Sequence, residues 1–182
     1  RLNVSTNTKP IVIANSGAVM GCSFSNLERV QRLMSTKSTS DFIASKGTGD
    51  KLDVADASGC LAYININYHD DDKAIMQTAV DCYVSNRDRA RLHSHLVQLA
   101  TTAYKTPKMG LKYADTMAKI VGDEIMGKTK TDAEKAADLR VSKSTYCECH
   151  AHVFETVFSE IFKPISKADG LAALYWRECK QG

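Results

Sequence analysis

No stretch of the 182-residue chain approaches the roughly eighteen consecutive apolar residues needed to span a bilayer, so a soluble protein is expected. A glycine-rich phosphate loop, a nucleophile elbow and a Cys-x-x-Cys pair are all missing. Ser, His and Asp are too dispersed to nominate a triad, so enzymatic activity has no positive support. Internal repeats and low-complexity segments are absent as well. No secretory-type apolar segment implies an oxidising compartment, and a chain long enough to bury a core does not need disulfides. The six cysteines are therefore expected as free thiols in a reducing intracellular compartment.

What is present is ordinary globular usage, with 43% hydrophobic and 25% charged residues, in a length suited to one sizeable core. The charge is unevenly placed. In residues 1–40, Arg1, Lys9, Arg29, Arg32 and Lys37 face Glu28 alone, so the formal net charge of +3 is concentrated there and the remainder is slightly acidic. That segment is also rich in Ser and Thr, a composition shared by organelle import sequences and by basic arms that contact nucleic acid or an acidic partner. Within it Ile11, Val12 and Ile13, between Pro10 and Asn15-Ser16-Gly17, read as a short extended segment suited to docking on a partner protein.

Helical signals dominate the rest. Ser25 and Glu28 have capping-box spacing ahead of an amphipathic Leu27, Val30 and Met34. A polar run, Ser35 to Ser40, reads as a linker, and from Asp41 to Gly59 the pattern is irregular, with a turn of helix near Phe42 and Ile43. Leu61 to Tyr68 sets Ile64, Ile66 and Tyr68 against Asn65 and Asn67, the alternation of a strand. Asp70, Asp71 and Asp72 then suit a helix N-terminus leading into Ile75, Met76, Ala79, Val80 and Tyr83. After Asn86, Leu92, Leu96, Leu99 and Ala103 form one stripe. Pro107 opens a helix carrying Leu111, Ala114, Met117, Val121 and Ile125 that ends at Gly127, and Thr131 with Glu134 forms a further capping box.

The densest apolar run, Tyr146 to Phe162, has a helical period through Tyr146, His150, Val153, Phe154, Val157 and Ile161, and is expected to stop before Pro164. A last helix from near Ser166 is expected to bury Leu171, Leu174 and Tyr175, with Trp176 left open. The central run also holds Cys147, Cys149, His150 and His152, which are zinc-ligand types. At about 100° per residue Cys147 and His150 lie on one side of a continuous helix and Cys149 and His152 on another, so all four converge only if the helix breaks. A half-site of Cys147 and His150 could be completed from another helix by His93 or His95. His150 faces the apolar stripe, where a histidine is more often a hydrogen-bonded core residue.

Ser94-His95-Leu96-Val97-Gln98-Leu99-Ala100 resembles the distal-histidine helix of globins over seven residues, but no histidine lies between His95 and His150 to serve as a proximal haem ligand. Arg87, Arg89 and Arg91, followed by Lys105, Lys108 and Lys112, form the densest basic stretch. Arg87, Arg91, Lys105 and Lys108 are its candidate phosphate contacts, although Asp88 sits inside the cluster and no aromatic residues are interleaved to stack on bases.

The sequence therefore predicts a mainly α fold: a basic, Ser/Thr-rich extension over residues 1–40 with one short helix, then a helical core domain of about six helices over 41–182. The leading functional expectation is a non-catalytic structural or assembly subunit of a larger complex, docking on protein subunits through its extension and helical surface. A nucleic-acid-associated, coat-like or RNA-binding protein is the alternative, and a metal- or cofactor-binding bundle centred on His150, with zinc as the metal, is the third.

Overall fold

The structure, a computed structural model, describes residues 24–35 and 54–179. These form α1 (Ser25–Ser35), α2 (Val54–Asn67), α3 (Lys73–Ser85), α4 (Arg89–Ala103), α5 (Pro107–Ile125), α6 (Asp132–Asp138), α7 (Lys143–Cys149) and α8 (Ala151–Cys179). The all-α class is as expected, but the described residues hold seven helices after α1 rather than about six, and none of them forms a strand. No described helix is long and apolar enough to cross a membrane. Ile11, Val12 and Ile13, and the turn of helix expected near Phe42, lie outside the described residues.

The molecule is assembled on α8. Val153, Val157, Ile161, Ile165, Ala168, Ala172 and Trp176 recur every three or four residues, and each is 4% exposed or less. This line of side chains packs against α1, α2, α3, α4, α5 and α7. The helix does not stop before Pro164 but runs through it. A proline inside a helix costs about 3 kcal/mol. Each fully buried aliphatic side chain returns about 1.5–3 kcal/mol, so keeping Ile161 and Ile165 in one register outweighs the lost hydrogen bond. At the C-terminal end the buried face is Ala168, Ala172 and Trp176, while Leu174 is left 36% exposed.

The start of the central run also differs from a continuous helix. His150, at φ −121° and ψ −28°, ends α7 in a turn, and its carbonyl then accepts from Val153 and Phe154 at 3.0 Å each to open α8. Phe154, Phe158 and Phe162 stack on one another at 5.7 and 5.5 Å along the half-buried side of α8.

The strand expectation at Leu61 to Tyr68 is overturned: these residues belong to α2 and the turn that follows it. Burial there has a helical period, Ala57, Cys60, Ile64 and Tyr68 being at most 1% exposed, whereas Ile66 is 70% exposed. A helix satisfies its own backbone groups, while a strand needs a neighbour, and none is present among the described residues. Gly59, expected as a break, sits inside α2 beneath the Tyr175 ring, whose hydroxyl occupies the space a Cβ would need.

Local signals hold better between α4 and α7. Thr106 caps α5 by accepting from Met109 N–H, with Pro107 at the first turn. Gly127, at φ +78°, closes α5 with Lys128 N–H donating to the Asp123 carbonyl at 2.8 Å and Gly127 N–H to that of Glu124 at 3.0 Å. Arg140, at φ +56°, closes α6 with the same bond pattern. The stripe prediction fails at Leu111, which is 87% exposed. Gly110 lets α4 and α5 approach closely, since a Cβ there would sit 3.2 Å from the Thr101 carbonyl oxygen.

Candidate functional site

His150 is the best-enclosed of the sequence-predicted site residues. It is 1% exposed, and Nδ1 hydrogen-bonds with the Tyr104 hydroxyl at 2.9 Å. The Tyr113 ring meets the imidazole edge-on at 4.6 Å, and Tyr104 likewise at 5.6 Å. Burial, reinforced by His152 and Lys112, holds the imidazole below its ordinary protonation range and keeps it neutral. Burial likewise drives the Tyr104 hydroxyl upward, so neither partner ionises near neutral pH. Cys147, by contrast, is exposed to solvent. Among the described residues no three His, Cys, Asp or Glu side chains are placed to share a metal ion. Cys149 and His152, which the helical spacing already set on one side, line one small cleft together with Tyr104, Lys105 and Glu148.

The basic residues are spread out. Arg87 precedes α4 instead of sharing a helical face with Arg91. It lines a cleft with Gln31, Arg32 and Met34, whereas Arg91 lines another with Ala74, Ile75 and His95. Lys105 and Lys108 lie past the other end of α4, about 20 Å along the helix axis from Arg91 at 1.5 Å per residue. All four are exposed, yet the fold does not gather them into one patch.

The acidic triplet also separates. Asp72 occupies the N-cap position of α3 without a side-chain cap bond. Asp70 instead pairs with Lys167 of α8, whose ammonium lies 4.9 Å from the Tyr68 ring. Burial, with Asp70 and Asp72 nearby, pushes the Tyr68 hydroxyl up to about 12.

A cleft of 330 Å³ opens between α4 and α5, with Cys82 of α3 beside it. Its walls are Leu92, Leu96, Ala118 and Met126, and Arg89, Lys119 and Lys128 stand around them. The chain matches no known family model, curated protein or solved structure. His93 Nε2 and Lys119 Nζ each lie 2.8 Å from an Asp115 carboxylate oxygen, and together they hold that carboxyl below the usual range, Lys119 more strongly. Burial pushes the Cys82 thiol up despite the opposing Arg89 guanidinium, so it is not a ready nucleophile. Sequence reading missed this cleft because its lining comes from three helices; Gly122, inside a helix, was its one visible trace.

Two polar clusters are structural. Glu124 and Lys135, each 3% exposed at the side chain, form a 3.6 Å ion pair between α5 and α6, and the Lys135 ammonium lies 3.6 Å from the Phe154 ring centre. Lys130 bridges Asp123 at 3.1 Å and Asp138 at 2.9 Å just outside it.

Proposed function

We propose that the chain is a non-catalytic assembly subunit that docks on a partner subunit through the outer face of α2. The supporting observation is one row of side chains. Val54, Ser58, Ala62 and Ile66 follow each other at four-residue steps, all exposed and none charged. Ile66 is 70% and Val54 46% exposed, in a helix whose opposite side is already buried on the core. A four-residue row is the ridge that packs into the groove of another helix, and loss of charge marks the centre of protein interfaces. The Ser58 hydroxyl donates back to the Val54 carbonyl at 3.0 Å, so covering this row would strand no polar group there. Ile11, Val12 and Ile13 supply a second apolar element for the same assembly.

The test is the native mass of the chain recovered from its own cells. Wild type should travel in a complex well above its 20.0 kDa chain mass, and Ile66→Glu should travel alone with an unchanged melting temperature. Equal masses for the two proteins, or a wild type recovered alone, would refute this reading.

A further inference from the structure

We propose that the cleft between α4 and α5 binds a small amphipathic anion, with a carboxylate or phosphate head on an apolar body. Leu92, Leu96, Ala118 and Met126 offer that body an apolar wall, and Arg89, Lys119 and Lys128 stand around it against one lining carboxylate, Asp123. Lys119 is already held by Asp115, and Lys128 lies 3.8 Å from Asp123, whereas Arg89 has no ion-pair partner among the described residues. Arg89 is therefore the group that takes the anionic head.

An independent observation comes from glycine. A glycine in a helix interior costs about 1 kcal/mol relative to alanine, so its presence calls for a packing reason. Gly110 has one, the close approach to Thr101. Gly122 has none, since a Cβ there would meet just Leu96 Cδ1 at an unstrained 3.8 Å, and it differs from the equally uncrowded Gly170 of α8 in lining this cleft. Its missing side chain leaves the cleft open instead of letting helices touch. At 330 Å³ the cleft has the size of a small-molecule site. No Phe, Tyr or Trp lines it, and its one ring, His93, is held by Asp115 at 2.8 Å, so it offers no array of rings for stacking the bases of a nucleic acid.

Calorimetric titration of the full chain with octanoate, octyl phosphate, octanol, inorganic phosphate and a twelve-residue oligothymidylate tests the assignment. Octanoate or octyl phosphate should bind one to one, the tighter of the two identifying the head group, and octanol and inorganic phosphate should bind at least tenfold more weakly. Gly122→Leu should fill the cleft and abolish binding with no fall in melting temperature. Arg89→Gln, an exposed change that leaves the fold alone, should weaken binding at least tenfold. The proposal is overturned if neither amphiphile binds the wild type or if Arg89→Gln binds as tightly as wild type. It is equally overturned if phosphate alone matches the amphiphiles, which would mark a free-anion site, or if the oligothymidylate binds more tightly than either.

Discussion

The N-termini of α6 and α1 meet the same need, acceptors for unpaired amide groups, by opposite routes. At α6 the solution is contained in four consecutive residues: the Thr131 hydroxyl accepts from Glu134 N–H, and the Glu134 carboxylate accepts from Thr131 N–H at 2.7 Å. At α1 the Ser25–Glu28 spacing suggests the same device, yet the acceptor arrives from α8. Asp169 Oδ1 accepts from Asn26 N–H at 3.0 Å and Leu27 N–H at 2.9 Å, and Oδ2 accepts from the Asn26 side-chain amide at 3.0 Å. Glu28 meanwhile lies 3.4 Å from the Tyr83 hydroxyl. Burial and Glu28 together push that hydroxyl up to about 12. A local cap shapes a helix wherever it docks, whereas a cap from 143 residues away fixes where the helix docks. Phe24, Leu27 and Val30, each 4% exposed or less, show that α1 belongs to the common core and is not a loose appendage.

The contrast between locally and remotely held elements can be broken most severely at the buried ion pair, which anchors even the locally capped α6. Replacing Glu124 or Lys135 by Ala leaves a buried charge without its partner and should cost about 3–5 kcal/mol in urea unfolding. The double replacement Glu124→Leu with Lys135→Met should recover most of that loss. A single variant within 1 kcal/mol of wild type would mean that α6 stands on its own cap.

The caps themselves give the next comparison. Asp169→Ala removes an acceptor of three hydrogen bonds and should cost about 2–3 kcal/mol. Thr131→Ala should cost about 1 kcal/mol. Equal losses would show that the remote cap does no more than the local one.

His150→Ala should cost about 1–3 kcal/mol, from a cavity and the lost bond to Tyr104. It also has a pH signature. Because burial lowers the folded-state protonation of His150 below its ordinary 6.5, the unfolded chain takes up the proton first. The contribution is complete above about pH 7 and is lost as pH falls through 6.5 toward the lower folded value. Urea midpoints from pH 7.5 to 5 should therefore decline in the wild type and decline less in His150→Ala. Parallel profiles would remove His150 from the acid response.

How much could be read beforehand depends on where each signal resides. Pro107, Gly127 and the Thr131 box act through neighbouring residues alone, so their meaning survives without knowledge of the fold. The apolar periods of α4 and of α8 as far as Ile161 were visible for the same reason, and so was the burial of His150, which lies on the period of its own run; beyond Pro164 the expected Leu171, Leu174 and Tyr175 give way to Ala168, Ala172 and Trp176. The alternation at Ile64 and Ile66 was misleading because strand propensity is worth at most about 1 kcal/mol, less than the burial of Ile64 and Tyr68 among helices. Pro164 was misread on the same footing: the stop it signals is local, and the contacts of Ile161 and Ile165 that override it come from other helices.

The sequence by itself determined the mainly α class, the starts of α5 and α6, and the inward face of the central run, since each follows from backbone conformation and side-chain period within a few residues. The tertiary structure alone decided that α2 is a helix, that Asp169 caps α1 and Asp70 reaches α8, and that Leu92, Ala118 and Arg89 enclose one cleft. Those outcomes depend on which side chains meet across tens of residues, and the spacing along one helix carries no record of its neighbour.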